Sequence, residues 1–218
     1  MKENTNIPQT KNHPTDKVIP FDGLVSPIGH GKKYNTIVVD PPWQYGKWGR
    51  GSKESCFKKQ FNWEDTPLPY NYMSIEEIKA LPVGSLANEN CELYLWTTQK
   101  YLPYSFEVLK AWGFKYCQTL TWCKEPMGKG QGGVYTPTTE FLLLGRKGKM
   151  PDVERIDTTW WKVKRQNEHS KKPEGFQDII ETVSYPPRLE MFARRYRWGW
   201  DVWGNEVESD INLVPNSG

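Results

Sequence analysis

The tetrapeptide Asp40-Pro41-Pro42-Trp43 directly follows the run Tyr34-Asn35-Thr36-Ile37-Val38-Val39. A carboxylate, two prolines and an aromatic at a strand end suit one kind of chemistry, the activation of an amine whose lone pair is delocalised into a ring, such as the exocyclic amine of adenine. Such an amine is a poor nucleophile until its N–H groups are held and its lone pair faces an electrophile. Asp40 can accept one N–H and the backbone carbonyl that follows it the other, stabilising the charge that develops on a tetrahedral nitrogen. The prolines fix the backbone, so that carbonyl is preorganised. Trp43 offers a face on which a base can stack, a contact worth about 1–3 kcal/mol. The competing reading is a stiff turn packed under a tryptophan.

Other residues fit the same chemistry. Glu190 sits inside the apolar run Arg188 to Ala193, where an isolated carboxylate is costly unless it has partners. Lys172 stands just before Pro173, which opens a helix, so an anion beside Lys172 would also feel the helix N-terminus. Taken alone, a lysine in a basic run is an ordinary solvated charge. Segment 44–72 contains Trp48, Arg50, Lys53, Lys58, Lys59 and Trp63, and segment 146–172 carries nine Lys or Arg against four Asp or Glu. Interleaved bases and aromatics suit a phosphate backbone with stacked bases, although solvated loops would look similar. A base inside a duplex must be extruded to be modified, which makes Trp43, Tyr70 and Trp160 candidate wedges or platforms. Three scattered histidines make no metal site.

These residues need elements to position them. Tyr34 to Asp40 reads as a buried strand, and Ser74-Ile75-Glu76-Glu77 as a capping box that starts a short helix ending before Pro82. Cys91 to Trp96 reads as a strand, Tyr104 to Trp112 as a helix closed by Gly113, and Tyr116 to Cys123 and Glu140 to Leu144 as strands. Pro173 to Val183 reads as a helix and Arg188 to Ala193 as a further strand. Segments 44–72 and 124–138 read as loops. Alternating strands and helices predict an α/β fold with a mainly parallel sheet. Ligands bind such sheets at the carboxyl ends of strands, where Asp40, Trp96, Lys124 and Ala193 fall.

Composition narrows the class. The 218 residues predict one domain, with 1–17 a disordered tail, 18–207 the folded domain and 208–218 a flexible C-terminal tail. No apolar run approaches the roughly 18 residues of a membrane span and no signal segment is evident, so the protein is expected to be soluble and cytoplasmic. Cys56, Cys91, Cys117 and Cys123 have no framework spacing and read as reduced, mostly core filler. A net charge of +3 does not establish nucleic-acid binding. The unusual quantity is the aromatic content of 14%, with 11 tryptophans. Trp96, Trp112 and Trp122 are expected in packing roles, and Trp43, Trp48, Trp63 and Trp160 as base-stacking candidates.

The Asp-Pro-Pro-Trp tetrapeptide in this position resembles the catalytic motif of the N6-adenine methyltransferases that include the catalytic subunit of the eukaryotic mRNA N6-adenosine methyltransferase and small bacterial and phage adenine methyltransferases. The resemblance runs from about residue 20 to 207 through Tyr70 to Ser74, Leu95-Trp96-Thr97, Thr121 to Lys124, Thr139 to Gly148, His169 to Pro173, Glu190 to Arg194 and Trp203 to Glu206. It implies a Rossmann-like, S-adenosylmethionine-dependent methyltransferase fold with helices on both faces of the sheet. It also implies a permuted motif order, in which the strand bearing the cofactor turn follows the catalytic one. Ala193 stands where many methyltransferases have glycine, so that turn must have a different shape.

By the same resemblance, Asp40, Pro41, Pro42 and Trp43 are catalytic. Asp40 would also contact the cofactor; Lys172 would meet the cofactor's carboxylate, Glu190 its ribose hydroxyls with Phe192 and Arg194 alongside, Asn205 and Glu206 its ribose and adenine, and Asp22 its adenine. Glu206 replaces a more usual Gln, and its carboxylate accepts but cannot donate. Trp43, Tyr70, Trp96, Lys124, Glu140, Arg50, Lys58 and Lys59 would contact the substrate. The expected partner is nucleic acid, DNA ahead of RNA, with a homodimer open. The alternatives are an RNA N6-adenosine methyltransferase, a catalytically silent nucleic-acid-binding partner of the same fold, and a methyltransferase for a protein or small-molecule amine.

Overall fold

The computed structural model describes residues 24–27, 31–44, 72–125, 135–153, 155–164 and 172–215. In chain order the elements are β1 (Leu24–Pro27), β2 (Tyr34–Val39), α1 (Ile75–Ala80), α2 (Val83–Leu86), β3 (Ala87–Thr97), α3 (Leu102–Ala111), β4 (Lys115–Glu125), β5 (Thr139–Lys147), β6 (Trp160–Lys164), α4 (Gly175–Val183), β7 (Arg188–Met191), β8 (Trp200–Trp203) and β9 (Leu213–Pro215). Seven strands form one sheet in the order β6-β4-β5-β3-β2-β7-β8. The pairs β2–β3, β2–β7, β7–β8 and β4–β6 are parallel, while β5 runs antiparallel to β3 and β4. This is the mainly parallel sheet that the strand and helix alternation predicts and the Rossmann-like fold that the resemblance implies.

Strand alternation sends successive side chains to opposite faces. Ile37, Val39, Leu93, Leu95, Leu143, Leu189 and Met191 face one way and are covered by α1, α2 and α3 through Ile78, Val83, Leu86, Val108 and Leu109. Val38, Tyr94, Trp96, Trp122 and Leu142 face the other way and are covered by α4 through Phe176 and Ile180. Helices therefore lie on both faces. The α1 capping box forms as expected, with Ser74 Oγ accepting from the Glu77 N–H and the Glu77 carboxylate accepting from the Ser74 N–H.

Several expectations are corrected. The segment from 208 is not all a flexible tail: Ile211 and Leu213 are buried in the α1–α3 core, and β9 pairs antiparallel with β1, Leu24 opposite Pro215. The tail expected at 1–17 lies outside the described residues. Lys124 is inside β4, which continues to Glu125, and the Arg188 strand ends at Met191 because Phe192 turns the chain at φ 61°. Cys91 is buried, but Cys117 is exposed and Cys123 half-buried, because β4 lies towards the sheet edge; all three are free thiols, and Cys56 lies outside the described residues. Burial pushes the Cys91 thiol up to about 12, which leaves it protonated and inert. Among the described residues, no helix is long and apolar enough to cross a membrane.

Candidate active site

β2 has parallel neighbours on both sides, β3 and β7, and the chain leaves its carboxyl end at Asp40. In open parallel sheets the crevice beyond such strand ends is the place for a ligand. The Asp40 N–H donates to the Met191 carbonyl at 3.4 Å, so the strand leading to Asp40 and the strand preceding the expected cofactor turn end side by side. The two prolines then fix a tight path. Pro41 O accepts the Trp43 N–H at 2.8 Å and Pro42 O accepts the Met73 N–H at 2.9 Å. A carbonyl oxygen has two lone pairs, so Pro41 O retains the capacity to accept a second N–H.

Asp40 belongs to a chain of alternating charges. Lys172 Nζ lies 2.8 Å from Asp40 Oδ2 and 3.4 Å from Glu140 Oε2, while Lys124 Nζ lies 2.5 Å from Glu140 Oε1. The two ammonium groups also lie over indole rings, Lys172 over Trp96 at 5.5 Å and Lys124 over Trp122 at 5.2 Å. Trp96 is itself buried and meets Trp122 and Phe176 edge to face. Burial raises the Asp40 carboxyl above the usual aspartate range, with Lys172 opposing and Glu140 reinforcing the rise. Burial alone would raise Glu140 too, but Lys172 and Lys124 together outweigh it and hold this carboxyl below the usual range.

On the other side of Asp40, Glu190 projects from β7 towards α4, where Gln177 Nε2 donates to its Oε2 at 2.5 Å. Burial raises the Glu190 carboxyl, and the Gln177 hydrogen bond opposes that rise. Phe192 takes the left-handed conformation that glycine usually supplies and packs edge to face on Trp203. The missing glycine stands elsewhere: a Cβ on Gly204 would meet Ala193 O at 2.3 Å, and the Ala193 N–H donates to Trp203 O. Ala193 is accommodated because its partner across the turn has no side chain. Arg194 Nε meets Glu206 Oε1 at 2.7 Å, and Asn205 is exposed beside it.

The structure thus brings Asp40, Pro41, Pro42, Trp96, Lys124, Glu140, Lys172 and Glu190 to one end of the sheet, with Phe192, Arg194, Asn205 and Glu206 on the adjoining turns. Asp22, Arg50, Lys58, Lys59 and Tyr70, with Trp48 and Trp63, lie outside the described residues. Trp43 departs from expectation. It is only 3% exposed, its ring stacks on Tyr101 at 5.1 Å and 16°, and its Nε1–H donates to Trp96 O at 3.0 Å. Its face is already covered, so here it braces the proline turn and does not present an open platform. Trp160 remains 60% exposed on β6. Sequence reasoning missed Gln177, although a polar residue on the α4 stripe formed by Pro173, Phe176, Ile180 and Ser184 was a legible signal.

A Rossmann-like sheet with Asp-Pro-Pro-Trp at the carboxyl end of a central strand points to the methyltransferase class. Residues 34–206 match the MT-A70 family model, and the chain belongs to the MT-A70 family of adenine N6 methyltransferases. It is 30% identical over 211 residues to the type II methyltransferase M.MunI of Mycoplasma sp, covering 93% of this chain and 89% of that protein. It is 29% identical over 203 residues to the human N(6)-adenine-specific methyltransferase METTL4, covering 83% of this chain and 39% of that protein. It is 26% identical over 196 residues to the N6-methyladenosine RNA methyltransferase MTA1 of Pyricularia oryzae, covering 80% and 47%.

Proposed function

We propose that this protein transfers the methyl group of S-adenosylmethionine to the N6 amine of adenine in DNA. The observation that carries the reading is the position of Asp40: a half-buried carboxylate at the switch between β3 and β7, beside a proline-fixed carbonyl, with Lys172 on one flank and Glu190 on the other. DNA is preferred to RNA because the type II methyltransferase is matched along nearly its whole length, whereas the RNA methyltransferase of Pyricularia is matched over about half.

The donor set fits the cofactor. S-adenosylmethionine carries a carboxylate and a ribose diol, which need a cation and an acceptor in an otherwise apolar setting. Lys172 supplies a mostly buried ammonium, and Glu190 a carboxylate held by an amide donor. Phe192, Arg194, Asn205 and Glu206 would line the remainder of the cofactor site. When bound, the cofactor supplies an already activated methyl on a sulfonium. The protein's part is to orient the amine: Asp40 accepts one N–H and Pro41 O the other, which turns the nitrogen lone pair out of conjugation. A carboxylate offers about four lone-pair sites, so the Lys172 contact leaves Asp40 able to accept. Lys124 and Glu140 would form the far wall against the base, with Trp96 beneath.

The test is methyl transfer from radiolabelled S-adenosylmethionine to a panel of duplex DNA, single-stranded DNA, RNA and free adenosine. The expected result is label in DNA that digests to N6-methyladenine. Label in RNA alone would move the substrate assignment, and label in none of the panel would overturn the reading.

A further inference from the structure

Gln177 is only 6% exposed and both ends of its amide are spoken for. Its Nε2 donates to Glu190 Oε2 at 2.5 Å, and its Oε1 accepts from Arg195 at 3.1 Å. Arg195 in turn pairs with Glu174, the N-cap residue of α4. Arginine can only donate. Its contact therefore fixes which end of the amide is oxygen, a choice otherwise ambiguous for a glutamine, and the NH2 must face Glu190. Among the described residues Gln177 is the only hydrogen-bond partner of the Glu190 carboxylate. Burial works against the ionised form of Glu190, and the nearby Asp40 carboxylate adds to that pressure.

We propose that Gln177 is a positioning residue for the cofactor, acting through Glu190. Its amide, oriented by Arg195, favours the charged carboxylate of Glu190 and holds it at one angle, so that the remaining acceptor sites meet the ribose diol. This rests on the assignment of Glu190 to the cofactor's ribose. Hydrogen bonds to charged groups are the stronger ones, and one lost at a half-buried acceptor such as Glu190 reduces affinity about tenfold.

The experiment is calorimetric titration of S-adenosylmethionine into the full-length protein and its Gln177→Leu, Glu190→Ala, double and Gln177→Glu variants, with thermal melting of each. Gln177→Leu is expected to weaken binding about tenfold, and the same change to have no effect in the Glu190→Ala background. Gln177→Glu places two carboxylates face to face, so its affinity is expected to recover as pH falls and one of them takes a proton. That pH dependence is independent of whether the leucine variant folds well. Parent-like affinity in a well-folded Gln177→Leu variant, an equal loss in both backgrounds, or a pH-independent Gln177→Glu variant would overturn the proposal. Parent-like affinity in Glu190→Ala would instead overturn the ribose assignment on which it rests.

Discussion

The two faces of the central sheet are built from the same strands yet hold different materials. The face under α1, α2 and α3 is closed by Ile37, Val39, Leu93, Leu95, Leu143, Leu189 and Met191. The face under α4 carries Val38, Tyr94, Trp96, Trp122 and Leu142, and towards its carboxyl ends the same alternation places Asp40, Lys124, Glu140 and Glu190. β2, β5 and β7 thus contribute support with one set of residues and the charged groups of the proposed site with the set that faces the other way. A one-residue slip in β7 would exchange Glu190 with Leu189 or Met191, so the apolar face also fixes the register of the reactive one.

Breaking the reactive face should leave the fold standing. Asp40→Ala is expected to lower methyl transfer about a thousandfold or more, with S-adenosylmethionine binding by calorimetry and the melting temperature little changed. Loss of folding, or retained labelling of DNA, would count against the division. Breaking the supporting face should do the reverse. Leu143→Ala, at a fully buried position, is expected to cost about 2–5 kcal/mol of stability and Trp43→Ala about 3–5 kcal/mol, read by denaturant unfolding. Leu143→Ala should keep its turnover per folded molecule.

A smaller effect sharpens the electrostatics. In the proposed reaction the ionised form of Asp40 is the acceptor, and burial raises its carboxyl, so the rate should fall on the acid side at a pH above that of an ordinary aspartate. Lys172 lowers that carboxyl and Glu140 raises it. Lys172→Met should therefore move the acid limb of the pH–rate profile to higher pH, and Glu140→Gln to lower pH. Coincident limbs for the two variants would remove Asp40 as the titrating group. The smallest expected effect on stability is at Trp160, which is exposed. Trp160→Ala should shift unfolding by less than about 0.5 kcal/mol while weakening DNA binding about tenfold in an electrophoretic mobility assay, if its ring stacks on a base.

Much of this division was legible before any coordinates. The β2 end at Asp40, the Ser74–Glu77 box, the helix closed by Gly113 and a carboxylate inside an apolar strand are local signals, each with its own physical cause. The strands β6 and β8 were not legible. Trp160–Lys164 and Trp200–Trp203 are five and four residues long, too short for a pattern, and they exist because β4 and β7 offer them hydrogen-bonding edges. The covered state of Trp43 depends on Tyr101, which lies far along the chain. The Arg195–Gln177–Glu190 chain joins two elements whose meeting no local spacing reveals.

The β1–β9 ladder has a topological consequence. By pairing Leu24 with Pro215 it sets two segments far apart in the sequence side by side, so a path from one to the other returns close to where it began. On a closed circuit the order in which strands are written depends on where the circle is cut. Asp40 precedes Glu190 in this sequence, yet β2 and β7 are neighbours whichever comes first. A short peptide joining Pro215 to Leu24, with a new opening in a surface connection, would exchange the order of the Asp-Pro-Pro-Trp motif and the Phe192 turn without displacing either from its strand.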